Sequence, residues 1–141
     1  MLPKWHILFG FVFAYVIYWF SSISIFEASL IFLFSILIDF DHYIWYAIKK
    51  KDWNFRKAYY WHKALPKNHK PIMHIFHTIE FHIFAGLLIF FWHGFLFILI
   101  GMIFHSVLDI IDIVYNKKWG VREFSLMRCF ILSRKIPNNY F

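Results

Sequence analysis

Charge is what this sequence has least of. Lys, Arg, Asp and Glu make up 16% of its 141 residues, against about a quarter in ordinary soluble domains. The hydrophobic share is 61%, and Phe alone occurs 20 times. A soluble chain of this length cannot bury that much apolar surface, so the composition predicts one integral membrane domain spanning residues 1–141. Cysteine is nearly missing: Cys129 stands alone, which excludes an intramolecular disulfide and a thiolate metal cluster. A basic leader is missing too. Only Lys4 precedes the first apolar run, and that run, Trp5 to Phe26, is span-length rather than signal-length, so no cleavable signal peptide is expected. The net charge of +7 would suggest nucleic acid in a soluble protein. Beside this hydropathy, a basic cytoplasmic face against anionic headgroups accounts for it, and no nucleic-acid partner is expected.

The pattern along the chain predicts an all-α fold, a polytopic bundle of four transmembrane helices. The expected spans are 5–26, 28–48, 72–92 and 95–115, joined by a loop at 49–71 and followed by a tail at 116–141. Trp5, Tyr18 and Trp19 suit interface anchors, and His6 reads as interfacial. The loop mixes Lys49, Lys50, Lys51, Arg56, Lys57, Lys63, Lys67 and Lys70 with Trp53, Phe55, Tyr59, Tyr60 and Trp61. It reads either as an amphipathic segment at the headgroups or as a plain positive-inside loop. The tail reads as an interfacial helix or a short hairpin. All 15 Lys and Arg residues fall at Lys4, in the loop or after Tyr115. Four spans with both termini cytoplasmic put every one of them on the same side, as a multi-pass protein of the cell (inner) membrane requires. The opposite turns hold Glu27 and His93-Gly94, without a basic residue.

Lys and Arg are also absent from every expected span, although five acids lie there: Asp39, Asp41, Glu80, Asp109 and Asp112. A carboxylate in hydrocarbon must be paired, neutral or metal-bound. Histidines and an external cation are the partners to hand. Three polar clusters supply them: Asp39-Phe40-Asp41-His42, His74 to Glu80, and His105 to Asp112. By helix rise, Asp39, Glu80 and Asp109 lie roughly 13, 12 and 9 Å from the cytoplasmic ends of their spans. The spacings Asp39/His42, His74/His77/Glu80 and His105/Asp109/Asp112 each fall on one helix stripe. Asp41 falls off its stripe unless the helix unwinds there, and suits a supporting position. His82 points elsewhere, and His62, His69 and His93 read as ordinary surface residues. The three clusters are expected to form one metal site. Mixed His and carboxylate ligands suit a divalent metal, zinc first, with manganese or iron as alternatives, as one or two ions.

Asp39-Phe40-Asp41-His42, then His77-Thr78, then His105-x-x-x-Asp109 resemble the YdjM-like family of membrane-bound metal-dependent hydrolases, in order and approximate spacing. The resemblance implies that Asp39, Asp41, His42, His77, His105 and Asp109 bind metal. His74 stands where the family's middle block differs and joins the ligand set on its spacing. Glu80 and Asp112 lie outside the family pattern.

The leading expectation is a membrane-embedded hydrolase that cleaves a lipid ester, preferably a phosphoester, at the cytoplasmic leaflet with metal-activated water. Glu80 or Asp112 would move the proton, and Lys70 and Arg122 would hold an anionic headgroup. Lipid is then both substrate and solvent, and pairing with a second copy is compatible with so small a unit. The alternatives are a membrane di-iron oxygenase and a non-enzymatic handler of protons or divalent cations.

Overall fold

The computed structural model describes residues 3–65, 72–117 and 122–135, and helix dominates among them. The helices are α1 (Pro3–Phe20), α2 (Ile25–Leu37), α3 (Phe40–Lys50), α4 (Phe55–Ala64), α5 (Ile79–Leu87), α6 (Gly94–Tyr115) and α7 (Leu126–Lys135). Two residue pairs add a short parallel ladder, β1 (Ile72–Met73) against β2 (Arg122–Glu123). The all-α expectation holds. Among the described residues one helix, α6, is long and apolar enough to cross a membrane, and it follows the expected span 95–115 almost residue for residue.

The other three expected spans are not single long helices, and each departure has a local cause. The first run is cut after Phe20. Ser24 then caps α2 in a reciprocal box: its hydroxyl accepts the Glu27 N–H at 3.2 Å, while Glu27 Oε2 accepts the Ser24 N–H at 2.6 Å. Glu27, expected as a turn residue, therefore sits in the first turn of α2. The second run breaks at Ile38-Asp39 into α2 and α3. The third becomes α-helical only at Ile79, after β1 and a 3₁₀ turn at Ile75–His77. The Thr78 hydroxyl donates to the Ile75 carbonyl at 2.7 Å and closes that turn. In the loop, Asn54 caps α4 by accepting the Lys57 N–H at 3.0 Å. In the tail, α7 settles the choice between helix and hairpin over residues 126–135.

Helix α2 packs along α6, α1 lies against both, and α5 covers another side of α6. Ala14, Ile31, Ile38, Ala85, Phe97, Ile98 and Met102 form the core between them. Two glycines set how closely the backbones approach. A Cβ on Gly101 of α6 would collide with the Ile31 carbonyl and reach 3.1 Å from the Ser35 nitrogen, both on α2. A Cβ on Gly10 of α1 would collide with the Ser35 hydroxyl. Ser35 thus stands where three helices come nearest.

Gly101→Ala should therefore push α6 off α2, where no flexible side chain can yield. A destabilisation of about 1–3 kcal/mol is expected for such overpacking. Thermal unfolding in detergent, beside Gly86→Ala as a substitution with room to spare, measures it.

Candidate metal centre

The break at Asp39 is what builds the site. Asp39 donates its N–H three residues back, to the Ile36 carbonyl at 3.1 Å. The Ser35 carbonyl, at the exposed end of α2's ladder, accepts from His105 Nδ1 of α6 at 2.7 Å. A carbonyl can only accept, so His105 Nδ1 carries a proton, which leaves Nε2 as the nitrogen that can bind a metal. His77 is fixed in the same way. Its Nδ1 lies 3.2 Å from Asp41 Oδ2, which also accepts the Phe76 N–H at 3.0 Å. A metal-binding histidine characteristically donates its other N–H to a carbonyl or a carboxylate, and both imidazoles do so.

The two Nε2 atoms then face each other 3.2 Å apart. Asp39 Oδ1 stands 3.3 Å from His105 Nε2 and 3.6 Å from His77 Nε2. Asp109 Oδ2 stands 3.1 and 3.6 Å from the same two atoms. Ligands at about 2.0–2.1 Å from a tetrahedral zinc are about 3.3–3.4 Å from one another. Five of the six edges of the quartet are thus 3.1 to 3.6 Å long. Asp39, His77, His105 and Asp109 accordingly form a group able to hold a metal ion. His77, His105 and Asp109 are buried, while Asp39 is 23% exposed and forms the open edge. Two imidazoles and two carboxylates converging in a buried pocket suit a cation among them.

Comparison with protein-family models, curated proteins and solved structures finds no match. The functional argument therefore rests on the residues.

Of the seven sequence-predicted ligands, Asp39, His77, His105 and Asp109 share this quartet. Asp41 supports His77 and also falls within reach of a second grouping with His42 and His77. Its departure from the stripe is explained by the break, which restarts the helix at Phe40 and turns Asp41 toward the segment before α5. His42 reaches Asp39 Oδ1 at 3.2 Å through Nε2. His74 lies beside His42, ring centroids 3.6 Å apart.

Two participants escaped the sequence reading. His6, expected at the interface, is 1% exposed, stacked on His105 at 3.9 Å with Nε2 3.3 Å from Asp109 Oδ1. Its position on α1, at the same expected end of the bundle as the three clusters, was the available signal. His62, expected at the surface, turns inward from α4 toward His42 and His74. Ala58, Trp61, His62 and Leu65 are the residues of that helix segment with reduced exposure, at i, i+3, i+4 and i+7, so its helical periodicity carried the signal.

The predicted proton carriers are placed elsewhere. Glu80 caps α7: its carboxylate accepts from the Ser125 hydroxyl at 2.6 Å and the Leu126 and Met127 N–H groups at 3.0 and 3.3 Å. Two i+3 steps from His74 put Glu80 on the His77 stripe of a regular helix, but the turn at 75–77 is 3₁₀ and α5 starts afresh at Ile79, which breaks the register. Asp112 accepts from Asn116 Nδ2 at 3.0 Å near the end of α6. Neither belongs to a metal-holding group among the described residues. His82 ties α5 to α6, with Nδ1 2.8 Å from the Thr78 carbonyl and Nε2 3.2 Å from Ser106 Oγ. Of the headgroup candidates, Lys70 lies outside the described residues, and Arg122 is placed only as backbone in β2.

Asp41→Asn should weaken zinc binding about 10- to 100-fold, as removal of a supporting partner does. Glu80→Gln should leave zinc affinity unchanged and speed amide exchange at Leu126 and Met127. Zinc titration and hydrogen exchange on the same preparations separate the two roles.

Proposed function

We propose that this chain is a membrane-embedded, metal-dependent hydrolase acting on a lipid ester, preferably a phosphoester, at the cytoplasmic leaflet. The observation that carries the reading is the tetrahedral spacing of Asp39 Oδ1, His77 Nε2, His105 Nε2 and Asp109 Oδ2. A divalent cation held there, zinc by preference over manganese or iron, would supply Lewis acidity and, with a water added to the four ligands at the open edge beside Asp39, would lower that water's pKa. Ser35 and Asp41 keep the two imidazoles in the ligand tautomer. His6 closes the buried side by stacking on His105. The open edge is at Asp39, so water and substrate enter there. Asp39 Oδ1 faces the imidazoles, which leaves Oδ2 to take the proton of the attacking water.

The lipid substrate is supported by what adjoins that edge. A cavity of about 280 Å³ is lined by apolar side chains only, among them Ile38, Phe40, Phe76, Phe81 and Met102. Ile38 and Phe40 flank Asp39 in sequence, and Phe76 precedes His77, so the cavity and the cluster share their supporting segments. Its walls exclude water from the acyl part and hold an ester in place. The membrane setting is supported by the exposed apolar side chains of α1, including Leu8, Phe11, Val12, Tyr15 and Trp19, and of α6, including Ile103, Val107 and Ile110. In a four-span arrangement with cytoplasmic termini, His6 near the start of α1 and Asp109 near the end of α6 put the cluster at the basic end.

A second reading, a di-iron oxygenase, draws support from the neighbouring groups of possible ligands on either side of Asp39–His42. Elemental analysis of the detergent-purified protein decides between them. Zinc or manganese, depleted in Asp39→Ala and His105→Ala, with hydrolysis of lipid phosphoesters lost in both, is the expected result. Iron with visible colour favours the oxygenase. Zinc retained without hydrolysis of any ester makes the quartet a structural clamp, and no metal at all leaves proton or cation handling. Either overturns the hydrolase.

A further inference from the structure

His62 belongs to the long basic loop, yet it meets two histidines from other parts of the chain. His42 lies on α3, His74 just before the 3₁₀ turn, and His62 on α4. The ring centroids of His42 and His62 are 5.3 Å apart, and those of His62 and His74 are 6.3 Å apart. One nitrogen from each ring falls within 4.8 Å of the other two. The group shares no residue with the Asp39–His77–His105–Asp109 quartet.

The protonation pattern again suits a ligand. His62 Nδ1 is 3.1 Å from the Ala58 carbonyl. That carbonyl accepts, so Nδ1 carries the proton and Nε2 presents its lone pair. Asp41 Oδ1 stands 3.6 Å from His74 Nδ1. His42 uses Nε2 toward Asp39, which turns Nδ1 to the other side. Helix α4 is aimed by aromatic packing: Trp61 stacks on Trp45 at 5.4 Å, and the Tyr43 hydroxyl donates to the Trp53 carbonyl at 2.8 Å. Ala58, a turn before His62, is buried in the seam.

We propose that His42, His62 and His74 form a second divalent-cation site, of all-imidazole type, which clips the basic amphipathic helix α4 beside the Asp39 centre. Three imidazoles without a carboxylate select zinc, or cobalt as its probe, over magnesium, calcium or manganese. The site does not depend on which reaction the first centre performs. Its consequence is structural: metal occupancy fixes where Arg56, Lys57 and Lys63 are presented relative to the open edge at Asp39.

The test is zinc titration of the chelator-stripped, full-length protein in detergent. About two equivalents are expected for the native chain, and about one each for His62→Ala and His105→Ala. A native stoichiometry of about one that His62→Ala leaves intact overturns the second site while the first stands. One equivalent lost in His62→Ala and kept in His105→Ala supports the second site and removes the metal basis of the hydrolase. Zinc binding in none of the three overturns both. Misfolding of His62→Ala is controlled with His62→Cys in a Cys129→Ser background. Cobalt loading should then produce a thiolate-to-cobalt charge-transfer absorption, and a native-like cobalt spectrum without it overturns the assignment.

Discussion

Two hydrogen bonds made away from the centre govern everything at it. His105 Nδ1 to the Ser35 carbonyl and His77 Nδ1 to Asp41 decide which ring nitrogen points inward. With Nδ1 of each ring engaged, two Nε2 atoms and two carboxylates face one another at ligand spacing in a buried pocket. In apolar surroundings uncompensated charge is costly, and a cation held among the four would offset it. The bonds in turn depend on the break after α2. An uninterrupted helix through residue 41 would spend the Ser35 carbonyl on the helical ladder and rotate Asp41 away from His77. Gly101, where α6 touches α2 one turn before His105, brings donor and acceptor within reach.

Much of this was legible in the sequence, for a physical reason. Acids in apolar runs without Lys or Arg are costly, which singles out Asp39 and Asp109 but also Glu80 and Asp112; His77 and His105 enter as the partners such acids need. The all-α character and α6 followed from hydropathy over a length that only a long helix matches. What escaped depends on backbone irregularity. Glu80 seemed to continue the His74–His77 stripe because a regular helix was assumed through a 3₁₀ turn and an extended Thr78. Asp41 seemed off its stripe because helix α2 was assumed to continue through Asp39. His6 and His62 were missed because each is a lone histidine in its segment. Their role is created by tertiary packing, a stacked ring at 3.9 Å in one case and the inward stripe of α4 in the other.

Sequence, packing and chemistry meet at the open edge. Asp39 is at once the residue where the helix breaks, the partly exposed ligand and the neighbour of Ile38 and Phe40 in the apolar cavity. A single irregularity therefore places a partly exposed carboxylate next in sequence to two side chains of an apolar cavity. Outside the main bundle, His62 aims α4 at the groups beside the site, while Glu80 anchors α7 away from it.

The proposed metal centre rests on Asp39, His77, His105 and Asp109, through two imidazole nitrogens and two carboxylate oxygens. X-ray absorption on the zinc-loaded His62→Ala protein tests it most directly, since that variant isolates the first centre. The account predicts a low-coordinate shell of nitrogen and oxygen at about 2.0–2.1 Å, with the outer scattering of two imidazoles. A six-oxygen hydrated shell without imidazole scattering would contradict it.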